Sequence, residues 1–172
     1  MSIPLEDYAL IGDCHNAALV SKHGSIDWLC LPHFDSAACF ASLLGNHENG
    51  CWSISPAVPI RNIRRRYRDS TLILETEFET DSGSVTLVDC MTPRDEAPDL
   101  LRMVVGNRGE VPMKMQLVIR FDYGSIVPWV QRTDTGITAI AGPDMLSLRT
   151  GVPLEGKNFT TVSSFVVKAG QQ

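Results

Sequence analysis

The sequence predicts an all-β, mainly antiparallel fold: a β-sandwich with one short helix after its first hairpin. Three observations carry this. Apolar runs come in pairs around turn residues, with turn signals every 8–12 residues or so. The run beginning at Leu72 alternates, with Leu72, Leu74, Thr76 and Phe78 on one face and Glu75, Glu77 and Glu79 on the other. That is the period of a strand with one face in the core and one in water. Helical signals are confined to a single short stretch. With 172 residues and 44% of them apolar, the chain is long enough for one domain, or at most two small ones, with a sizeable core.

Taken in order, "NAALVSKHGSIDWLCL" is a first hairpin, with Gly24 supplying the flexible turn position. "DSAACFASLLG" is the helix, about two turns, with Asp35 or Ser36 at its N-cap and Gly45 at its end. "RNIRRRYR" holds five Arg in eight residues. In an acidic chain it reads as a strand whose arginines pair with neighbouring acids. "STLILETEFETDSGSVTLVDCM" is a second hairpin turning at "TDSGS". "LLRMVVGNRGEVPMKMQLVIRF" is a third, turning near "NRGE", and "GITAIAGPDMLSLRT" is a fourth, turning at "GPD". "NFTTVSSFVVKA" is a last strand.

Composition narrows the function. The formal net charge of −5 argues against nucleic acid as the main partner. The five Cys are odd in number, lack CxxC spacing and mostly sit among apolar neighbours. They read as reduced thiols of a cytoplasmic protein, and no zinc site is expected. The N-terminus lacks a basic region followed by an apolar run, so no signal peptide is expected. No apolar stretch approaches the roughly 18 residues of a membrane-spanning helix.

The stretch "GSIDWLCLPHFDS", Gly24 to Ser36, concentrates the chemistry-bearing residue types. Its first part is the second arm of the hairpin, with Trp28 on a strand beside Ile26 and Cys30. Asp27 lies between apolar residues and, if buried, needs a hydrogen-bond partner. Pro32 stiffens the following loop. Phe34 offers an aromatic surface, and Asp35 and Ser36 offer hydrogen bonds or a helix cap. Asp27, His33 and Asp35 include metal-ligating types, but one belongs to a strand and two to a loop, so no metal is expected. His15, His23 and His47 read as solvated turn residues, and Glu75, Glu77 and Glu79 as a solvated stripe. No Ser stands in a GxSxG elbow and no Gly-rich loop fits a phosphate.

The segment "YALIGDCHNAALVSKHGSIDWLCLPHFDSAACFASLLG", Tyr8 to Gly45, strongly resembles the start of bacterial and archaeal glycoside hydrolase family 15 proteins, the glucoamylase-like and trehalase-like enzymes. Their pattern there is "IGxxxxAALVSxxGSIDWLCLPxFDSxxxFAxLLG". "RRRYRDSTLILETEFETDSGSVTLVDCMTP" resembles their "RRYxxxTLVLETxF" and "VxLxDFMP" segments. Cys90 stands where the family often has Phe, and His33 where it often has Arg.

The resemblance implies an N-terminal supersandwich-like domain followed by an (α/α)6 barrel that carries two catalytic glutamates and acts by inversion on α-glucosides. This chain is then the non-catalytic N-terminal domain, residues 1–172, truncated before its last strand and without the barrel. It contains no catalytic residue and needs no cofactor. Its expected partners are the C-terminal catalytic domain and, through that domain, the sugar. The loop carrying Trp28, Pro32, His33, Phe34, Asp35 and Ser36 is expected at the domain interface or the mouth of the sugar pocket. An open sheet edge is also expected, with pairing of two copies as its consequence. The alternatives are a carbohydrate-binding module using Trp52 or Trp129, and a free-standing assembly domain.

Overall fold

In the computed structural model, residues 3–172 are described. Almost every element is an antiparallel strand. The chain opens with β1 (Tyr8–Gly12), β2 (Ala17–Ser21) and β3 (Ser25–Cys30), which form a meander. The β2–β3 turn is the first predicted hairpin. Gly24 sits there at φ +80°, and an added Cβ would meet the Ile54 carbonyl oxygen at 2.4 Å, so both its dihedral and its surroundings require glycine.

β4 (Ala38–Phe40) pairs with β3, and β5 (Cys51–Pro56) joins the other end of β3. The arginine-rich β6 (Ile60–Tyr67) is an edge strand next to β7 (Leu74–Thr80), which pairs on its other side with β8 (Gly83–Met91). Its arginines meet acids, as expected: Arg66 and Arg68 both bind Glu75, and Arg61 pairs with Asp81. In β7 the alternation holds from Leu74 onward. Leu74, Thr76 and Phe78 are buried, whereas Leu72 falls before the strand and is exposed.

β9 (Leu100–Val118) is 19 residues long and joins the two sheets. Its first half pairs with β8 and its second half with β5. The predicted hairpin turn at "NRGE" is therefore absent. Those residues form a bulge at which a continuous strand bends from one sheet into the other. The register shifts between Ser84 and Val85 opposite Gly106–Arg108, and Gly109 adopts φ +67°. The same glycines that signal a reversal also permit a bulge, and pairing on both sides of the bend selects the bulge.

The predicted helix is also absent. Ala38, Cys39, Phe40 and Ala41 are all buried, and Leu29↔Phe40 and Cys30↔Ala38 are strand partners. A segment apolar on both faces gains more from a buried strand position than from a two-turn helix with one wet side. What remains of the helical signal is a single 3₁₀ turn, Ser42–Leu44, ended by Gly45.

β10 (Trp129–Thr133), β11 (Gly136–Ala141) and β12 (Asp144–Arg149) form a separate three-stranded sheet, and β11–β12 is the predicted fourth hairpin. β13 (Glu155–Lys157) and β14 (Thr160–Lys168) complete the chain, with β14 on the free side of the second half of β9. Ile54, Phe78, Leu87, Val104, Met113 and Val167 fill the space between the β7–β8 layer and the β5–β9–β14 layer. A second core, including Ile11, Val20, Leu29, Phe40 and Leu117, is covered by Ile137 and Ala139 of the small sheet.

Candidate functional site

The predicted loop leaves the end of β3 at Leu31 and is held by two neighbours and by a turn of its own. The Phe34 N–H donates to the His15 carbonyl at 3.2 Å, which ties the loop to the β1–β2 turn. Arg94, from the β8–β9 connection, donates to the Pro32 carbonyl at 2.8 Å and lies 3.2 Å from His33 Nδ1. Inside the loop, the His33 N–H donates to Ser36 Oγ and the Ser36 N–H donates back to the His33 carbonyl, both at 3.1 Å. Ser36 therefore closes a turn and caps no helix. Asp35 is exposed and caps nothing, because no helix follows.

This bracing leaves Phe34 pointing outward, 66% exposed. Pro32 and His33 are exposed beside it. Trp28 is half-buried, packed against the cluster of Cys30, Ala38 and Ala41. Its ring is tilted 38° to that of Tyr123 at a centroid distance of 6.1 Å. Tyr123 is itself exposed, in a turn where Asp122 and Tyr123 both have positive φ (50° and 57°). The structure thus gathers Pro32, His33, Phe34, Asp35 and Ser36 on one braced loop and sets Trp28 apart from them, on β3 against Tyr123.

Asp27 does not join that loop. It is 7% exposed and accepts from Tyr8 Oη at 2.8 Å, Ser25 Oγ at 2.6 Å and Ser42 Oγ at 2.9 Å. Burial, and then the hydrogen bond to Asp27, push the Tyr8 hydroxyl far above the ordinary tyrosine value. Nearby, Asp13 shapes the β1–β2 turn by accepting the N–H groups of His15 and Asn16 at 2.9 and 2.6 Å. Burial pushes the Asp13 carboxyl up, but these donors more than reverse that, and its pKa lies below the usual carboxylate value.

Among the glutamates, Glu75 is bound by two arginines and Glu79 faces Arg108 at 3.8 Å. The Glu75 side chain is only 11% exposed, so it is covered by its arginines and is not a member of a wet stripe. Sequence reasoning passed over Tyr8, Ser42, Arg94 and Tyr123. Arg94 lies 61 residues from His33, and nothing in "TPRDE" marks it as the brace of a distant loop.

The assembled surface is an aromatic and imidazole face on a loop braced by backbone hydrogen bonds at Pro32, His33, Phe34 and Ser36. It suits contact with a sugar ring or with another protein surface.

The family model "Trehalase-like, N-terminal" matches residues 1–163. The chain belongs to this family. It is 31% identical over 153 residues to trehalase 1 of Sulfolobus acidocaldarius, an alignment covering 88% of this chain and 26% of the relative. The trehalase of Mycolicibacterium smegmatis is 32% identical over 143 residues, covering 70% of this chain and 21% of the relative. For the trehalase of Thermoplasma volcanium the figures are 25% identity over 156 residues, 87% and 25%. This trehalase-like domain therefore spans about a quarter of the length of the curated relatives it matches. No solved structure matches it significantly.

Proposed function

We propose that this chain is the non-catalytic N-terminal domain of an inverting α-glucoside hydrolase of the trehalase and glucoamylase type, glycoside hydrolase family 15. In this reading it steadies a C-terminal (α/α)6 catalytic barrel and presents the Pro32–Ser36 loop at the entrance of the barrel's sugar pocket. The observation that carries the proposal is the family match over residues 1–163, together with trehalases of which the alignment covers about a quarter. The geometry supports it. A loop pinned by His15 and Arg94 and closed by its own His33–Ser36 turn, yet still exposing Phe34, is preorganised for a partner surface, which limits the entropy lost on docking. The five free thiols accord with a reducing, cytoplasmic setting.

The test is Phe34→Ala in the full-length protein, assayed on trehalose, maltose and longer α-glucans. The expected result is a loss of kcat/KM of about tenfold, equivalent to roughly 1.4 kcal/mol. The isolated domain's melting temperature should not move, since Phe34 buries little within it. Unchanged turnover together with unchanged stability of the full-length protein would remove the loop from this role.

A second reading, carbohydrate binding by the domain itself, is favoured by one observation. Trp129, 72% exposed, is aligned across the outer face of the small sheet with Ile140 and Met145, beside Gln131, Thr138 and Ser147. Titration with trehalose and malto-oligosaccharides, followed by tryptophan fluorescence, tests it. A silent titration removes this reading and leaves the first intact.

A further inference from the structure

β6 is irregular where it begins. Ile60 pairs with Thr80 and Asn62 with Glu79, so Arg61 is an extra residue, a bulge. In a regular strand Ile60 and Asn62 would turn one way and Arg61 and Ile63 the other. Here all four line one cleft of about 510 Å³, which shares no residue with the Phe34 loop. The other walls of the cleft are pinned. The Ile54 N–H donates to the Gly24 carbonyl at 3.0 Å, which fixes the β2–β3 turn and its His23 against β5. The Ala57 N–H donates to the Pro112 carbonyl at 2.8 Å, which fixes the link from β5 to β6 against β9. Ser55 and Lys114 are cross-strand partners on β5 and β9, on the face opposite the buried Ile54, Met113 and Met115. Both border the cleft.

Five polar side chains meet there: His23, Ser55, Arg61, Asn62 and Lys114. Each can donate a hydrogen bond. Arg61 and Lys114 are cations, and among the described residues no Asp or Glu lines the cleft. This stands against a chain net charge of −5. Arg61 is shared with Asp81 of the β7–β8 turn, whereas Lys114 has no acid partner among the described residues. Pro56, Val58 and Ile60 add an apolar wall. A concave surface lined by one sign of charge focuses its field and draws in anions. The volume lies within the range of sites for small organic ligands and exceeds what a bare oxyanion fills.

We propose that this cleft binds a small phosphate monoester. Lys114 and Arg61 face the phosphate charge, and Ser55, Asn62 and the His23 imidazole donate to its oxygens. The ester body lies against Pro56, Val58 and Ile60. The donors favour phosphate over carboxylate. They come from the β2–β3 turn, from β5 and β9 and from β6, so they approach an acceptor from several sides. Three terminal oxygens in a tetrahedral group use that arrangement, and the two coplanar oxygens of a carboxylate do not. Lysine serves such a group as a point charge. The apolar wall and the spare volume favour an ester over inorganic phosphate. The site uses no residue of the loop assigned to the sugar pocket and does not rest on that reading.

Calorimetric titration of the full-length protein with phenyl phosphate tests this. The probe carries no sugar, so a glycoside site elsewhere in the protein does not answer it. The expected Kd is about 1 mM or tighter, with inorganic phosphate bound at least about tenfold more weakly. Lys114→Gln should weaken phenyl phosphate at least about tenfold. It should leave the melting temperature in place, because the exposed ammonium holds no acid within the domain. Lys168→Gln, at an exposed pair with Glu110 outside the cleft, should leave the affinity unchanged. No binding of phenyl phosphate at about 10 mM overturns the proposal. So does binding that Lys114→Gln leaves intact, or that Lys168→Gln weakens equally, which is the mark of diffuse charge. Inorganic phosphate bound as tightly as phenyl phosphate overturns it too, since the apolar wall then plays no part. None of these readouts depends on hydrolase activity.

Discussion

Asp89 and Asp27 are both buried carboxylates, and the fold answers them in opposite ways. Asp89 is fully buried opposite its cross-strand partner Arg102, whose side chain is also fully buried, at 2.8 Å. The same guanidinium donates to the Gly24 carbonyl at 2.7 Å and to the Trp52 carbonyl, and lies 5.1 Å from the centre of the Trp52 ring. One cation therefore links β8 and β9 to the β2–β3 turn and to β5. Asp27 meets no cation among its hydrogen-bond partners, only the hydroxyls of Tyr8, Ser25 and Ser42. It gathers the start of β1 and the turn after β4 around the hairpin that leads to the loop. The difference teaches that the sandwich is joined by a charge pair, which is costly to break, and the site end by neutral donors, which are cheaper to lose.

The largest expected effect comes from breaking the charge pair. Arg102→Met should destabilise the domain by about 3–5 kcal/mol, because it leaves Asp89 buried without its counter-charge. For a chain of this size that lowers the melting temperature by on the order of 10 °C. The double variant R102M/D89L should recover most of the loss, as expected when the penalty lies in the orphaned charge. Urea unfolding of the three proteins measures both. At the other site, Asp27→Ala should cost about 1–3 kcal/mol, the range for removing a charged acceptor from neutral donors that can rotate to other partners. If Asp27→Ala costs as much as Arg102→Met, the contrast between the two anchors fails.

Both anchors leave traces in the sequence, of unequal clarity. Asp27 stands between Ile26 and Trp28 on a strand, and its need for partners could be read directly. The partners could not, since Tyr8 is 19 residues away and Ser42 is 15. Arg102 in "LLRMVV" and Asp89 in "LVDCM" give the same signal, a charge inside an apolar run, and went unread. Reading it requires taking β8 and β9 as neighbours, whereas a turn at "NRGE" would fold the two halves of β9 onto each other. The helix was misread for a related reason. Asp35, Ser36 and Gly45 are sound local signals, but the pairing of Ala38–Phe40 with β3 is a tertiary fact. The hairpins at Gly24, "TDSGS" and "GPD" were legible because turn chemistry and alternation agreed there.

Tyr8→Phe separates the hydroxyl from the rest of the Asp27 anchor and should cost about 1 kcal/mol near neutral pH. Its alkaline signature is sharper. A tyrosine whose folded pKa is raised contributes stability that is complete below its ordinary value of 10.0 and is lost as the pH rises beyond it. Burial also pushes the thiols of Cys39 and Cys51 from 9.0 up to about 12 and about 11, so the wild-type protein should begin to weaken above about pH 9. The variant should keep the thiol part of that decline and lose the part that starts near pH 10. Superimposable alkaline limbs for the two proteins would show that the Tyr8–Asp27 bond does not hold the hydroxyl neutral.

The smallest effect belongs to the exposed face, where charge pairs sit near water. Glu75 receives Arg68 and Arg66, and chiefly the hydrogen bond from Arg68 holds its carboxyl below the usual 4.5. A depressed carboxyl contributes stability that is present above its unfolded value and lost as the pH falls through the folded one. Glu75→Gln should therefore cost no more than about 1 kcal/mol at pH 7, because both arginines are largely solvated. The difference from the wild-type protein should shrink as the pH falls below 4.5, and shrink again at neutral pH when salt is raised to 1 M, where the screening length is about 3 Å. The Asp89–Arg102 pair, shut away from ions, should show no comparable salt dependence. A loss in Glu75→Gln that persists in 1 M salt would place the arginine face with the buried anchor in kind, and the contrast between wet and dry charge in this domain would have to be redrawn.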